Sequence, residues 1–189
     1  MSLLTLKNTL KSSYMDKSHS SDLLKNSGYQ FDKDLSNIES RVYHNPNNNN
    51  LLITYRGTKN LLNDIPTDFA ILTGGLKSTQ RYKDSKQVYE NAKKKYKNDT
   101  VTLAGHSLGS SLANAVGQKN DTIYTFNKGV GFNNRNTKGN EKAYRTSTDL
   151  ISILSAGDKN QHSFGSFLDL NPFHAHKIDR LDDIKPIYI

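Results

Sequence analysis

Residues 101–109 constrain the fold of this 189-residue chain more than any other segment. An apolar, β-type run leads directly into Gly-His-Ser-Leu-Gly, and small, helix-forming residues follow it. This order predicts a sharp strand-to-helix turn with Ser107 at its apex, where Gly105 and Gly109 keep Cβ atoms out of the crowded backbone. The first amides of the following helix would point to where negative charge develops beside the serine hydroxyl. The segment therefore predicts a catalytic serine.

The remaining pattern favours alternating strands and helices. Strands are predicted over 38–44, 51–56, 101–105, 122–127 and a segment that ends near Ser147, with a polar turn that contains Pro46 between the first two. Helices are predicted over 2–12, 20–27, 79–97 and 108–118. This order predicts an α/β fold with a mostly parallel central sheet flanked by helices, in a single domain over residues 1–189.

Composition excludes several classes of function. The chain has no cysteine, which excludes disulfides, thiol catalysis and cysteine-ligated metals. The net charge of +8 accompanies lysine and asparagine throughout the sequence, without a nucleic-acid-binding motif, so no nucleic-acid partner is expected. A preference for anionic lipid surfaces is a secondary expectation. No apolar run approaches the roughly 20 residues of a membrane span, and the first residues do not form a convincing secretion signal, so a cytoplasmic location is favoured.

A catalytic serine needs a histidine base and an acid that orients it. In enzymes with this kind of turn, the acid and then the base follow the serine along the chain. Asp149 is the favoured acid, because it comes directly after the predicted strand that ends near Ser147. Asp158, after the next apolar run, is the alternative.

The choice of base falls among the three histidines near the end of the sequence. His176 is favoured because it begins a last predicted helix, and His174 and His162 are the alternatives. The other histidines are set aside for their positions in the elbow, in the polar N-terminal region and before the serine: His106, His19 and His44. The spacing of His174 and His176 is also that of half a metal site, but no third ligand accompanies it and no metal is expected.

The negative charge of an attacked carbonyl needs two hydrogen-bond donors. One is the backbone N–H of Leu108, the residue after the serine. The second comes from the loop after a neighbouring strand, where Thr58 follows the strand at 51–56 and carries both an amide and a hydroxyl.

Four motifs, in this order, resemble the class 3 (fungal-type triacylglycerol) lipase family: Tyr-Arg-Gly-Thr at 55–58, Asn-Asp-Ile-Pro-Thr-Asp at 63–68, Gly-His-Ser-Leu-Gly at 105–109, and Tyr-Arg at 144–145 leading to Asp-Leu-Ile-Ser at 149–152. The resemblance covers roughly residues 38–180 and is closest to short members found in large DNA viruses and microbial genomes. It implies an α/β-hydrolase core and no cofactor. It also implies Ser107 as nucleophile, Asp149 as acid, His176 as the late histidine, and Thr58 with Leu108 as the oxyanion hole.

The resemblance further implies ester hydrolysis through an acyl-enzyme. The expected function is a serine carboxylester hydrolase whose substrate is a lipid or small ester, such as an acylglycerol or phospholipid. Alternatives are a thioesterase or acyltransferase, or an idle lipid- or partner-binding module on the same fold. Residues 59–72 match the segment that forms the family's lid. The alternative interpretation is an ordinary helix of the core. Two departures are Ile65, where the family commonly has tryptophan, and Ser110, where it has glycine.

Overall fold

A computed structural model describes residues 1–58, 75–129, 137–149, 152, 160–165 and 172–184. Within these residues the strands form one sheet, whose spatial order from β1 to β7 is also their order in the chain. The strands are β1 Gln30–Phe31, β2 Ser40–Asn45, β3 Asn50–Tyr55, β4 Thr100–His106, β5 Thr122–Phe126, β6 Glu141–Thr146 and β7 Gln161–Phe164. The lid segment predicted at 59–72 lies outside the described residues.

The sheet is antiparallel at one side and parallel over the rest. β1, β2 and β3 pair antiparallel, whereas each pair from β3 to β7 is parallel. The predicted turn joins β2 to β3, with Asn45 opposite Asn50 and Asn49 in the left-handed region at φ 50°. The α/β fold with a mostly parallel sheet is therefore confirmed.

The described helices are α1 Leu3–Ser12, α2 Lys17–Leu23, α3 Gln80–Lys95, α4 Leu108–Val116 and α5 Pro172–Ala175, with 3-10 turns at Lys25–Ser27, Leu76–Ser78 and Ile178–Asp183. The helix predicted at 20–27 is wrong at its start. The helix begins at Lys17, because the Asp16 side chain accepts the backbone N–H of His19 and caps it. None of the helices in the described residues has the length and apolar character that crossing a membrane requires.

Helices cover both faces of the sheet. Side chains of β3 and β4 alternate between the faces: Leu51, Ile53 and Leu103 pack with α3 and α4, whereas Ala104 faces α1. The cluster on the α1 face joins residues of α1, β5, β6, β7 and the segment of the last 3-10 turn: Leu6, Leu10, Tyr124, Phe126, Tyr144, Phe164, Leu181 and Ile184. The sheet is thus the middle layer of three.

The register brings several chain segments to one edge of the sheet. Tyr55 at the end of β3 is opposite Gly105 near the end of β4, and His106 is opposite Phe126 at the end of β5. β2 runs the other way, so its first residue, Ser40, also lies at this edge, opposite Tyr55. We call it the carboxyl edge. In open α/β sheets, ligands bind at the carboxyl ends of parallel strands.

A buried ion pair fixes the segment that follows β5. Lys128 Nζ lies 2.8 Å from Glu141 Oε1, and the two side chains are 1% and 0% exposed. Thr125 Oγ1 donates to the same oxygen at 2.7 Å. Since Gly129 N–H donates to the backbone oxygen of Ser107 at 3.2 Å, the pair also anchors the loop beside the elbow.

Replacing Glu141 by glutamine is expected to lower the free energy of unfolding by about 3–5 kcal/mol, because it leaves the Lys128 charge buried without its partner. The matched control is Glu90→Gln, which removes an exposed partner 3.7 Å from Lys86 and should cost less than about 0.5 kcal/mol. Urea unfolding of both variants measures the difference. Equal losses would contradict the role of the buried pair.

Candidate active site

Ser107 stands in a strained turn between β4 and α4. Its backbone has φ 56° and ψ −126°, a conformation that residues with a Cβ rarely adopt. A Cβ on Gly105 would collide with the backbone of Gly109, and one on Gly109 would collide with the carbonyl group of Tyr55. The two glycines are therefore required by close backbone approach, as the sequence predicts.

Ser110, the departure from the family pattern, ties this turn to β5. Its hydroxyl donates to the carbonyl oxygen of Gly105 at 2.5 Å, lies 3.1 Å from that of Phe126, and accepts the N–H of Phe126 at 3.1 Å. The side chain is fully buried. A glycine at this position could not make these contacts, so the substitution braces the elbow.

Three predicted residues meet at the carboxyl edge. Ser107 Oγ lies 2.8 Å from His176 Nε2, and His176 Nδ1 lies 2.8 Å from Asp149 Oδ1. A carboxylate only accepts, so Nδ1 carries the hydrogen and Nε2 accepts from the serine hydroxyl. All three residues are buried, His176 and Asp149 completely. The arrangement can remove the proton of the serine hydroxyl and stabilise the resulting imidazolium.

Asp149 is held through both its side chain and its backbone. Ser152 Oγ donates to Asp149 Oδ2 at 2.5 Å, and the guanidinium of Arg145 donates to the Asp149 backbone oxygen at 3.0 Å. Arg145 Nε also donates to Ser152 Oγ at 3.3 Å. With one carboxylate oxygen bound to Ser152, the other is left facing His176. Three motif residues, Arg145, Asp149 and Ser152, are thus joined in one hydrogen-bonded group.

Asn127 holds the segment that carries His176. It follows β5 in the left-handed region at φ 45°, and its Nδ2 donates to the Ala175 carbonyl at 3.0 Å. Its Oδ1 accepts the N–H of Thr146 at 2.7 Å, which joins it to the end of β6. One buried amide side chain therefore connects two strand ends to the residue before His176.

His106 supports the same segment from the α1 face of the sheet. Its Nε2 lies 2.7 Å from the His176 carbonyl oxygen, and its Nδ1 lies 2.6 Å from Tyr14 Oη. A carbonyl only accepts, so Nε2 carries the hydrogen and Nδ1 accepts from Tyr14. The Tyr14 oxygen in turn accepts the N–H of Gly57 at 3.1 Å. These groups form a continuous hydrogen-bonded chain, Gly57 to Tyr14 to His106 to His176.

Burial keeps both rings of this chain uncharged. Burial, together with the nearby His176, lowers the pKa of His106 to about 3. Burial also raises the pKa of Tyr14 well above its ordinary value. Neutral His106 can donate from one nitrogen and accept at the other, which the two contacts require.

The predicted oxyanion donors belong to backbone segments next to Ser107. Leu108 is the first residue of α4, so its N–H has no acceptor inside the helix. Gly57 is close enough to the elbow that a Cβ there would lie 3.0 Å from Ser107 Cβ. Thr58, the next residue, is half-buried. The backbone that carries Thr58 therefore passes directly beside the serine.

A family model, "Phospholipase-like: Tle-like phospholipase domain", matches residues 8–163. The chain belongs to this family. The matched residues include Tyr14, Ser107 and Asp149, whereas His176 lies beyond them. No curated protein matches the chain.

Solved lipase structures share the fold of this Tle-like phospholipase domain. The Rhizomucor miehei triacylglyceride lipase has 13% identity and a TM-score of 0.55, covering 82% of this chain and 74% of that one. The Lip2 lipase of Yarrowia lipolytica has 15% identity and a TM-score of 0.55, covering 86% of this chain and 76% of that one. A Rhizomucor miehei lipase propeptide complex has 14% identity and a TM-score of 0.53. The match covers 82% of this chain, which spans 62% of the length of that one. At these identities the likeness concerns the fold.

The alternative candidates are placed elsewhere or lie outside the described residues. His174 and His162 are exposed, and His162 stacks on Tyr144 with 5.6 Å between ring centroids. Asp158 is outside the described residues, as is Ile65. Within the part of the chain that the structure describes, no group of three histidines and carboxylates could hold a metal ion.

The contribution of His106 and Tyr14 was missed by sequence reasoning. His106 does not act on Ser107, but it holds the backbone of His176. Excluding His106 as a candidate base overlooked this contact. Strand alternation contained a signal, since Ala104 and His106 share the face of β4 that packs against α1. Tyr14 follows α1, and only the folded chain brings it to the elbow.

Tyr14→Phe is expected to lower kcat for a soluble ester about tenfold with little change in KM, because Gly57 N–H loses its acceptor beside the oxyanion donors. The matched control is Tyr29→Phe, which removes a hydroxyl that donates to Asn50 Oδ1 at the opposite edge. Steady-state kinetics measures both. The role of Tyr14 would be excluded if the two variants lost activity equally.

The free energy of unfolding of wild type is expected to fall as the pH drops from about 6.5 towards 3. Part of the reason is that His106 binds a proton in the unfolded state in this pH range but not in the folded state. His106→Gln removes this contribution while keeping a donor for the His176 carbonyl. Between pH values of about 4 and 6, the free energy of unfolding of the variant should fall less steeply than that of wild type. The two slopes should differ by about 1.4 kcal/mol per pH unit. Urea unfolding at several pH values measures the slopes; parallel slopes would contradict a neutral buried His106.

Proposed function

We propose that this chain is a serine hydrolase of lipid carboxylesters, with Ser107 as nucleophile, His176 as base and Asp149 as orienting acid. The observation that carries the proposal is the pair of 2.8 Å contacts that joins Ser107 to His176 and His176 to Asp149. We further propose that residues 1–189 act as one domain, since Tyr14 near one end and His176 near the other both support this site.

Acylation follows from the hydrogen-bond directions. Ser107 Oγ attacks the ester carbonyl carbon while its proton passes to His176 Nε2. Asp149 accepts from Nδ1–H and stabilises the imidazolium without taking the proton. The tetrahedral intermediate then collapses, the ester C–O bond breaks, and the leaving alcohol takes the proton from Nε2.

The oxyanion is stabilised by donors that are in place before reaction. We assign these to the N–H of Leu108, at the positive end of α4, and to Thr58, which follows Gly57 beside the elbow. The hydrogen bond from Gly57 N–H to Tyr14 fixes the backbone just before Thr58. Such fixed donors lower the barrier because they need no reorganisation when the charge appears.

Deacylation repeats the sequence with water. His176 takes a proton from a water molecule, the resulting hydroxide adds to the acyl carbonyl, and the second tetrahedral intermediate expels Ser107 Oγ, which recovers its proton from Nε2. The products are a carboxylic acid and the free enzyme.

The substrate class we favour is the acyl ester of a phospholipid, with acylglycerols as the second choice. The description of the matching family supports the first, and the names of the Rhizomucor and Yarrowia structures support the second. An anionic lipid surface accords with the net charge of +8.

Ser107→Ala is expected to abolish hydrolysis of p-nitrophenyl esters and of phospholipids, and Asp149→Asn to lower kcat by about 10⁴-fold through loss of the correct histidine tautomer. Asp121→Asn is the matched control, since Asp121 is also buried, accepts from Tyr89 Oη at 2.7 Å, and lies before β5 at the opposite edge. Its kcat should stay within a few-fold of wild type.

A fluorophosphonate probe provides an independent test, because it labels an activated serine and ignores an idle one. Labelling of wild type but not of Ser107→Ala is expected. Hydrolysis that survives in Ser107→Ala, or wild type that neither labels nor hydrolyses esters, would overturn the proposal.

A further inference from the structure

A cavity of about 340 Å³ opens where α1 meets α2. Cationic and apolar side chains line it together, among them Lys17, Arg41, Arg56, Met15 and Ile38. We call this region the basic corner. It is distinct from the contacts among Ser107, His176 and Asp149.

The basic corner lies at the carboxyl edge of the sheet. Tyr14 lines its wall and also accepts the N–H of Gly57, which packs against Ser107. Arg56 follows β3, and its N–H donates to the Glu39 carbonyl just before β2. The cavity therefore opens beside the strand end that carries the proposed oxyanion donor.

Positive charge in the corner is only partly compensated. The buried guanidinium of Arg41 donates to the Met15 carbonyl and to other neutral oxygens, and Lys17 Nζ donates to the Ser36 carbonyl at 2.5 Å. Among the ion pairs of the described residues, neither side chain has a carboxylate partner. Carbonyl oxygens satisfy the N–H groups but leave the net charge in place, so the corner attracts an anion.

Two carboxylates near the corner offset part of this positive charge. Asp16 lines the cavity, caps α2 and contacts His19 Nδ1 at 2.8 Å, and these hydrogen bonds lower its pKa, so it is ionised. Glu39 pairs with Arg56 at 2.9 Å and with Arg81 at 2.6 Å. The cations Lys17, Arg41, Arg56 and Arg81 outnumber these two carboxylates, so the net charge near the cavity is positive.

Large apolar side chains are exposed at the rim of this charge. Ile38 is 68% exposed and Met15 is 39% exposed, although both lie beside cations. Exposed apolar groups flanked by basic residues are typical of surfaces that enter the headgroup region of a lipid bilayer. A soluble anion would use the charge but not these side chains.

We propose that the basic corner docks on an anionic phospholipid surface. Ile38 and Met15 enter the boundary between headgroups and acyl chains, while Lys17 and Arg41 attract the headgroup phosphates. The docking presents the carboxyl edge, and with it Ser107, to the lipid. The docking itself is independent of catalysis, although its use in lipid hydrolysis rests on the proposed function.

The first experiment places a fluorophore at the rim. The chain has no tryptophan, so Ile38→Trp in a Ser107→Ala background gives a single indole that cannot be obscured by turnover. With vesicles of equal parts phosphatidylglycerol and phosphatidylcholine, its emission should shift to the blue, and the shift should weaken in high salt. Phosphatidylcholine vesicles should give a much smaller shift. Leu4→Trp is the control, because Leu4 is 66% exposed near the other end of α1.

The second experiment measures vesicle binding by sedimentation. Replacing Met15 and Ile38 together by serine should weaken partition about tenfold through lost apolar burial. Lys17→Gln should weaken it about fivefold, and Leu4→Ser should leave it unchanged. All these variants, in a background with Ser107 intact, should keep the wild-type rate on a soluble ester.

The outcomes separate docking from catalysis. A blue shift at Leu4→Trp but not at Ile38→Trp would overturn the proposal, as would binding that ignores Met15, Ile38 and Lys17. Equal binding to both kinds of vesicle would exclude recognition of anionic lipid. Docking with no soluble-ester hydrolysis in the intact enzyme would overturn the proposed function alone.

Discussion

The backbone of residues 175 and 176 is the element on which the candidate site depends. His176 is separated from Ser107 by 69 residues in the chain, yet its ring must lie within hydrogen-bond distance of it. Two buried side chains hold the carbonyls of this segment, Asn127 from the end of β5 and His106 from the end of β4. Because both carbonyls are fixed to strand ends, the imidazole is positioned by the same sheet that positions the serine.

The sequence predicted what short, local patterns determine. The elbow needs glycines and a serine within five consecutive residues, and Asp149 follows a recognisable strand, so both were found before the fold was known. The structure brings these residues and His176 together, and their catalytic roles stay predictions. Thr58 was found through its motif, because Gly-Thr after a strand is otherwise an ordinary turn.

What the sequence did not reveal depends on contacts between distant segments. Tyr14 and His106 are 92 residues apart, and nothing within either segment marks the other as a partner. Nothing in the lysine-rich sequence around Lys128 marks it for burial, but it is fully buried against Glu141. The predicted start of α2 was too late, because the helix is capped by Asp16 and not by the serines that follow it.

The neutrality of His106 matters for the proposed chemistry as well as for packing. Its ring centroid lies 5.1 Å from that of His176. A protonated His106 would lose the lone pair that accepts from Tyr14, and its charge would oppose the imidazolium that His176 forms on taking the proton of Ser107. Burial prevents this, since it lowers the pKa of His106 to about 3. Buried His106 therefore donates a hydrogen bond to the His176 backbone without placing a positive charge beside its ring.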